Sequence, residues 1–164
     1  MAKRIYRLRT QLWLPRRRPE IFSFFADPKN LERLTPPWLR FEILTPEPIA
    51  MGLGARLQYR LRLHGLPVRW ESEIAVWDPP HRFVDRQMAG PYRVWVHEHC
   101  FCDQNRGTLI RDTVVYSPLG GSLVQKLLIA PDLKRIFRYR REVLRRLFNQ
   151  DQQKSTEMKT NGSS

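Results

Sequence analysis

Two histidines, two aspartates and one arginine are the residues of this chain whose types and spacing suit chemistry. Arg140 stands out first. After Pro131, Leu133, Ile136, Phe137, Val143, Leu144 and Leu147 recur on one helical face. At about 100° per residue Arg140 falls in the middle of that apolar stripe, while Lys134, Arg135, Arg138, Arg141, Arg145 and Arg146 fall on its flank and back. A guanidinium aimed at a core without a partner is costly, so Arg140 requires a carboxylate or a ligand oxygen. His97 and His99 are two apart in a run that alternates from Tyr92 to Asp103, and a second alternating run covers Thr108 to Tyr116. With Gln104-Asn105-Arg106-Gly107 as the turn between them, the face of Phe101 and Ile110 carries Trp95, His97 and His99 on one strand. On the other it carries Thr108, Asp112, Val114 and Tyr116. If paired residue numbers sum to about 209 to 211, Asp112 sits across from His97 or His99. Asp85, in Phe83-Val84-Asp85-Arg86-Gln87, can share this face.

Three uses of such a group follow. In the first, Arg140 pairs with Asp112 or Asp85 and the histidines satisfy one another and the backbone, so the cluster only fixes the helix onto the strands. In the second, the cluster reads the polar head of a mostly apolar ligand: a carboxylate, a quinone carbonyl or a phenol. In the third, His97 or His99 acts as a general acid or base, Asp112 sets its tautomer, and Arg140 stabilises a developing enolate. A metal use competes less well: His97 and His99 have the i,i+2 spacing of two ligands on one strand face, with Asp112 as third, but an arginine nearby opposes a cation. No metal or other cofactor is expected. His97-Glu98-His99 lacks the i,i+4 spacing of the helical metalloprotease motif. Gly52-Leu53-Gly54 reads as a turn before a strand and Gly120-Gly121 as the tight approach to the last helix. Cys100 and Cys102 lie on the opposite face from the histidines, with Glu98, where packing rather than nucleophilic work is expected.

The elements that must position these residues are readable from period and punctuation. Ile5 to Leu14 alternates, Tyr6, Leu8, Thr10, Leu12 and Leu14 facing one way, which describes a strand with one wet face. Pro19-Glu20 opens a short helix with Ile21, Phe22, Phe24 and Phe25 as an aromatic anchor, and a second helical turn runs from Asp27-Pro28 to Leu34. From Phe41 to Tyr116 the period is two, broken by glycine and proline into about six strands, as in an antiparallel meander. Leu57, Tyr59, Leu61 and Leu63 share one face; in the next strand Val68, Trp70, Ser72, Ile74 and Val76 do so. Ser122 to Ile129 forms an early helical piece and Pro131 starts or kinks the long helix. A curved sheet with one wet face needs its other face covered, and only the C-terminal helix is long enough. Incomplete cover leaves an internal cavity lined by Leu57, Tyr59, Trp70, Trp95 and Phe137, with Asp85, His97, His99, Asp112, Tyr116 and Arg140 supplying its polar atoms.

This order of elements, with Leu14-Pro15 before Pro19-Glu20-Ile21-Phe22, then Phe25-Ala26-Asp27-Pro28-Lys29-Asn30-Leu31, Trp77-Asp78-Pro79-Pro80-His81-Arg82-Phe83, Gly107-Thr108, Asp112 and Tyr116, resembles the START / Bet v 1-like superfamily. That superfamily includes polyketide cyclase/dehydrase, lipid-transfer and coenzyme Q-binding domains. The resemblance spans residues 3 to about 149. It implies an α+β helix-grip fold, a curved antiparallel sheet of about seven strands around a long C-terminal helix, with two short helices after strand 1 and a hydrophobic cavity between sheet and helix. It does not imply one chemistry.

Composition narrows the partners. Of the 164 residues 41% are hydrophobic and 11% aromatic, enough to bury a core, which excludes a disordered chain. The formal charge of +13 is concentrated at two places, residues 1–18 with seven basic groups and no acid, and residues 132–149 with seven basic and two acidic. A protein coated by nucleic acid would spread that excess, and no motif of aromatic or polar base readers is present. The basic helix flank is a solvated face or a peripheral contact with an anionic membrane. No apolar run reaches the roughly 20 residues of a membrane span, and no secretory leader is apparent. Two cysteines two apart on a strand cannot easily close a disulfide, so a reducing cytoplasm is expected. Residues 1–149 read as one ligand-binding domain and 150–164 as a disordered polar tail. The expectation is therefore a binder, carrier or sequestering protein for a hydrophobic or amphipathic small molecule such as a lipid, quinone or polyketide. The alternative is a cyclase/dehydrase-type enzyme using His97, His99, Asp112 and Arg140.

Overall fold

The computed structural model describes residues 4–160, with side chains to Asn149. Strand β1 (Tyr6–Leu14) keeps its even-numbered residues inward and its arginines out. Helix α1 (Arg18–Ala26) begins with proline in its first turn, where a missing N–H costs nothing, and buries Ile21, Phe22 and Phe25. Helix α2 (Lys29–Leu34) and a 3₁₀ turn (Pro37–Leu39) lead into β2 (Glu42–Ile43), β3 (Arg56–Leu63), β4 (Leu66–Asp78), β5 (Arg82–Ala89), β6 (Tyr92–Gln104) and β7 (Gly107–Pro118). Helix α3 (Gly121–Val124) and a π-helical turn (Gln125–Ile129) run into α4 (Ala130–Thr160). Among the described residues no helix is long and apolar enough to cross a membrane.

The seven strands form one antiparallel sheet in the order β1-β7-β6-β5-β4-β3-β2, so the first strand pairs with the last. This is the α+β helix-grip arrangement expected. The β6–β7 hairpin turns on Asn105 and Arg106, both with positive φ (49° and 60°), the two-residue geometry whose twist matches that of the strands. Gly107 is required there, because a Cβ would collide with the Leu14 carbonyl and the Trp13 ring. The hairpin pairs His99 with Asp112, His97 with Val114 and Trp95 with Tyr116. One expectation is corrected. A register shift in β4 between Ile74 and Val76 places Val76 opposite Val84 on the outer face and turns Trp77 inward, against Phe22 (5.3 Å) and Phe83 (5.8 Å between ring centroids). A β-bulge adds one residue and so inverts the alternation beyond it. The expected helical piece before Pro131 is present, its first turn α-helical and the rest a π turn that ends two residues ahead of the proline, which supplies no N–H to the carbonyl four positions back. The backbone of the expected tail is helical to Thr160; its side chains, and residues 161–164, lie outside the described residues.

Two groups of buried side chains fill the space between sheet and α4. One joins Leu12, Leu14, Ile21, Phe22, Phe25, Phe83, Phe101 and Ile110 to Leu144 and Phe148. The other consists of Val114, Tyr116, Leu133 and Phe137, with Tyr6, Leu8, Tyr92, Trp95 and Ile129 only partly buried around it.

Candidate functional site

A cavity of about 200 Å³ lies between β3–β6, α2 and the inner face of α4. Period two along the strands delivers Leu57, Tyr59, Trp70, Asp85, Trp95, His97 and His99 to its wall, and period 3.6 along α4 delivers Phe137 and Arg140. Two expected contact residues do not reach it. Asp112 is 8% exposed and sits on β7 behind the imidazoles. Tyr116 faces away, its phenol oxygen accepting the Gln125 side-chain N–H at 2.8 Å and its ring packed on Tyr6 and Trp95. The helix-side wall was not foreseen in the sequence: Phe24, Phe25, Leu31 and Leu34 from α1 and α2 close the cavity, together with Ser72 and Tyr92 from the sheet. Ser72 was readable, since it shares a face with Trp70 and Ile74. The orientation of α2 was not, because six residues hold too little periodicity.

The apolar end of the wall is aromatic and fixed. Tyr59 stacks on Trp70 (centroids 5.9 Å, 18° between planes), and Trp70 meets Trp95 edge-on at 5.2 Å. The Ser72 hydroxyl oxygen accepts the Trp70 indole N–H at 3.1 Å and hydrogen-bonds the Tyr59 hydroxyl at 3.0 Å. Burial, with the Asp85 carboxylate adding to it, pushes the Tyr59 phenol up, so it stays protonated.

At the polar end two imidazoles and two carboxylates form a closed ring of contacts. His97 Nε2 is 3.1 Å from Asp112 Oδ1, and His99 Nδ1 is 2.7 Å from the same oxygen. The second contact is off the N–H direction, so His99 Nδ1 makes an ion contact there without a formed hydrogen bond. On the cavity side Asp85 Oδ2 is 3.3 Å from His99 Nε2 and 3.8 Å from His97 Nδ1. The rings lie 3.8 Å apart, and His99 stacks on Phe83 at 4.3 Å. Burial and the neighbouring His99 push His97 down. Burial also pulls on His99, but the Asp112 and Asp85 carboxylates outweigh it and raise His99 above the usual imidazole range. Burial opposes ionisation of both aspartates, yet the imidazoles hold Asp85 below and Asp112 well below the usual carboxylate range.

Arg140 does not take the place expected of it. Among the described residues no carboxylate oxygen lies within 4.0 Å of its guanidinium, and its buried Nε has no hydrogen-bond partner. The group lies instead over the Phe25 ring, 5.1 Å from its centroid, and 6.0 Å from that of Phe137. The histidines compete more closely for both carboxylates because they stand on the same sheet face, whereas Arg140 reaches across from the helix. Asp85, His97 and His99 each present a metal-ligating atom within 4.8 Å of those of the other two.

No protein-family model matches the sequence, and no curated protein matches it either. Solved structures do. TTHA0849 from Thermus thermophilus has a TM-score of 0.66 at 19% identity over 85% of this chain and 97% of its own. Major latex-like protein 151 from Panax ginseng has 0.66 at 12% identity over 88% and 97%. The Zhui aromatase/cyclase from Streptomyces sp. R1128 has 0.67 at 14% identity over 88% and 96%. With 12% identity and a TM-score of 0.64 over 89% of this chain, Ara h 8.0201 is another such neighbour. The chain thus has the Bet v 1-like, helix-grip fold of these structures, one architecture shared by proteins of different names and uses.

Proposed function

We propose that the protein binds, and carries or sequesters, a small apolar or amphipathic molecule in the cavity under α4, with the polar group of that molecule set against Arg140, Asp85, His97 and His99. The observation that carries this reading is Arg140, with no carboxylate within 4.0 Å among the described residues and no hydrogen-bond partner on its buried Nε, on the wall of a mostly apolar and aromatic cavity. A few convergent polar groups in an apolar concavity is the usual composition of a ligand site. The volume exceeds the roughly 150 Å³ at which a cavity admits benzene, which favours a compact ring system such as a quinone or a small polyketide over a long acyl chain. The binding unit in this reading is residues 1–149, with 150–164 a polar extension. A reducing cytoplasm suits the free thiols of Cys100 and Cys102. Extraction of the purified protein with organic solvent followed by mass spectrometry should recover a bound molecule, and an environment-sensitive hydrophobic dye should be displaced by it. Repeated recovery of nothing from a protein that also takes up no dye would sink the proposal.

A second reading, a cyclase/dehydrase-type enzyme, is favoured by one specific feature. His97 and His99, both on the cavity wall, are pushed in opposite directions, His97 down by burial and the neighbouring His99, His99 up by the two carboxylates against its burial, the kind of separation a base and an acid working on one substrate use. Under it His97→Ala and His99→Ala abolish turnover of a carbonyl-bearing substrate and leave its binding intact. Peripheral contact with an anionic membrane belongs to the carrier reading. Leu119, Leu123, Leu127 and Leu128 are exposed beside Lys126, and no acidic residue occurs between Asp112 and Asp132.

A further inference from the structure

We propose that Asp85, His97 and His99 form a site for one divalent transition-metal ion of the zinc class, with Asp112 behind the imidazoles, hydrogen-bonded to His97 and in ion contact with His99. Two imidazoles and one carboxylate are a donor set that suits such ions. Ligands at about 2.0–2.2 Å from a tetrahedral zinc ion stand a little over 3 Å from one another. The Asp85 Oδ2 separations of 3.3 Å and 3.8 Å are already close to that. Each ring turns a different nitrogen to Asp112, Nε2 of His97 and Nδ1 of His99, and both therefore turn the remaining nitrogen towards Asp85. A metal-ligating histidine characteristically has its second nitrogen on a carboxylate, which fixes ring orientation and leaves the ligating lone pair on the metal side.

The sequence pairs the histidines with Asp112 as third ligand and sets Arg140 against any cation. The structure alters both terms. Asp112 is walled off from the cavity, while Asp85 lines it with the two histidines. Arg140 remains a nearby positive charge, but it lies over Phe25 and makes no contact with either carboxylate among the described residues. Among the described residues the imidazoles are the only ion-pair partners of the two carboxylates within 4.0 Å, so a metal ion would take the place of the proton shared between them. Because all three donors line the cavity, a fourth position opens into it. An oxygen of the organic ligand could fill that position, and only this last point rests on the binding reading above.

Metal-stripped protein titrated with zinc chloride in a calorimeter, without organic ligand, should bind one ion per chain. Loading with cobalt(II) should give the strong visible bands of a four-coordinate site, and X-ray absorption of the zinc form should count two imidazoles. His97→Ala/His99→Ala and Asp85→Asn should each weaken binding by roughly 100-fold or more, and Asp112→Asn by about 10- to 100-fold. Arg140→Gln, which removes the opposing charge, should tighten it. Absence of saturable binding, affinity unchanged in the double variant, or a six-coordinate aqua-type cobalt spectrum would overturn the site. The wild-type spectra decide the matter even where a variant fails to fold. Dye uptake by the metal-stripped protein is scored separately, so loss of the metal site and loss of the cavity reading give different results.

Discussion

Strand β6 passes through two regions of opposite character, and their contrast explains how one fold holds both a packed core and a cavity. At its Phe101 end the interior is closely packed. Phe101, 2% exposed, meets Phe22, Phe25 and Phe83 at centroid distances of 5.2–6.1 Å, with Leu14, Ile21 and Ile110 equally buried nearby. At its Tyr92 end the interior is looser. Tyr92 and Trp95 are only partly buried, the side chains carry polar tips, and the exposed leucines of the α3 and π-turn segment lie just beyond. His97 and His99 mark the border. Close packing returns the most free energy per side chain and leaves no room for a ligand. Amphipathic aromatics at the other end keep a cavity open while still contributing area.

Variants can break or sharpen this contrast. The largest effect should come from Phe101→Ala, about 3–5 kcal/mol of lost stability in chemical denaturation, because the surrounding rings cannot collapse into the hole. Trp95→Ala, at the other end of the same strand, should cost clearly less while enlarging the cavity; equal losses would abolish the distinction between the two ends. At the border, Asp112→Ala should cost about 3 kcal/mol or more, since it strips both imidazoles of their shared partner. The sign of the pH effect follows from its depressed carboxyl. Metal-stripped wild type keeps the Asp112 contribution above the unfolded carboxylate range near 3.9 and loses it as pH falls towards the folded value. Urea midpoints measured from pH 7 down to pH 3 should therefore fall more steeply for wild type than for Asp112→Asn. Ser72→Ala should cost about 1–2 kcal/mol, since it leaves the Trp70 indole and the Tyr59 hydroxyl unpartnered at the cavity wall. The smallest change in stability, within about 0.5 kcal/mol, belongs to Leu123→Ser and Leu127→Ser at exposed positions. These two should nonetheless reduce co-sedimentation with phosphatidylglycerol vesicles; unchanged co-sedimentation would remove the membrane contact from the carrier reading.

Most of the architecture was readable because period and punctuation are local. The inward residues of β1, β3 and β6, the β6–β7 turn, the aromatic anchor of α1 and the inward stripe of α4 all follow from neighbouring residues along the chain. The structure departs from local period where something non-local intervenes. Val76 faces outward because a bulge is set by the partner strand, not by alternation. Tyr116 has an inward position but is claimed by Gln125 from the π turn. The α2 wall was missed because its orientation comes from tertiary packing.

The polar cluster divides in the same way. That His97, His99 and Asp112 share one sheet face follows from the sequence alone, through period two and the hairpin register, whereas Asp85, which the sequence only allows there, is placed by the pairing of β5 with β6. Which of them pair, and which face the cavity, only the tertiary structure decided. Partner choice among buried charges depends on differences of about an ångström between groups on strand and helix, and Arg140, inward by helical period, is outcompeted at that scale by imidazoles already held beside the carboxylates.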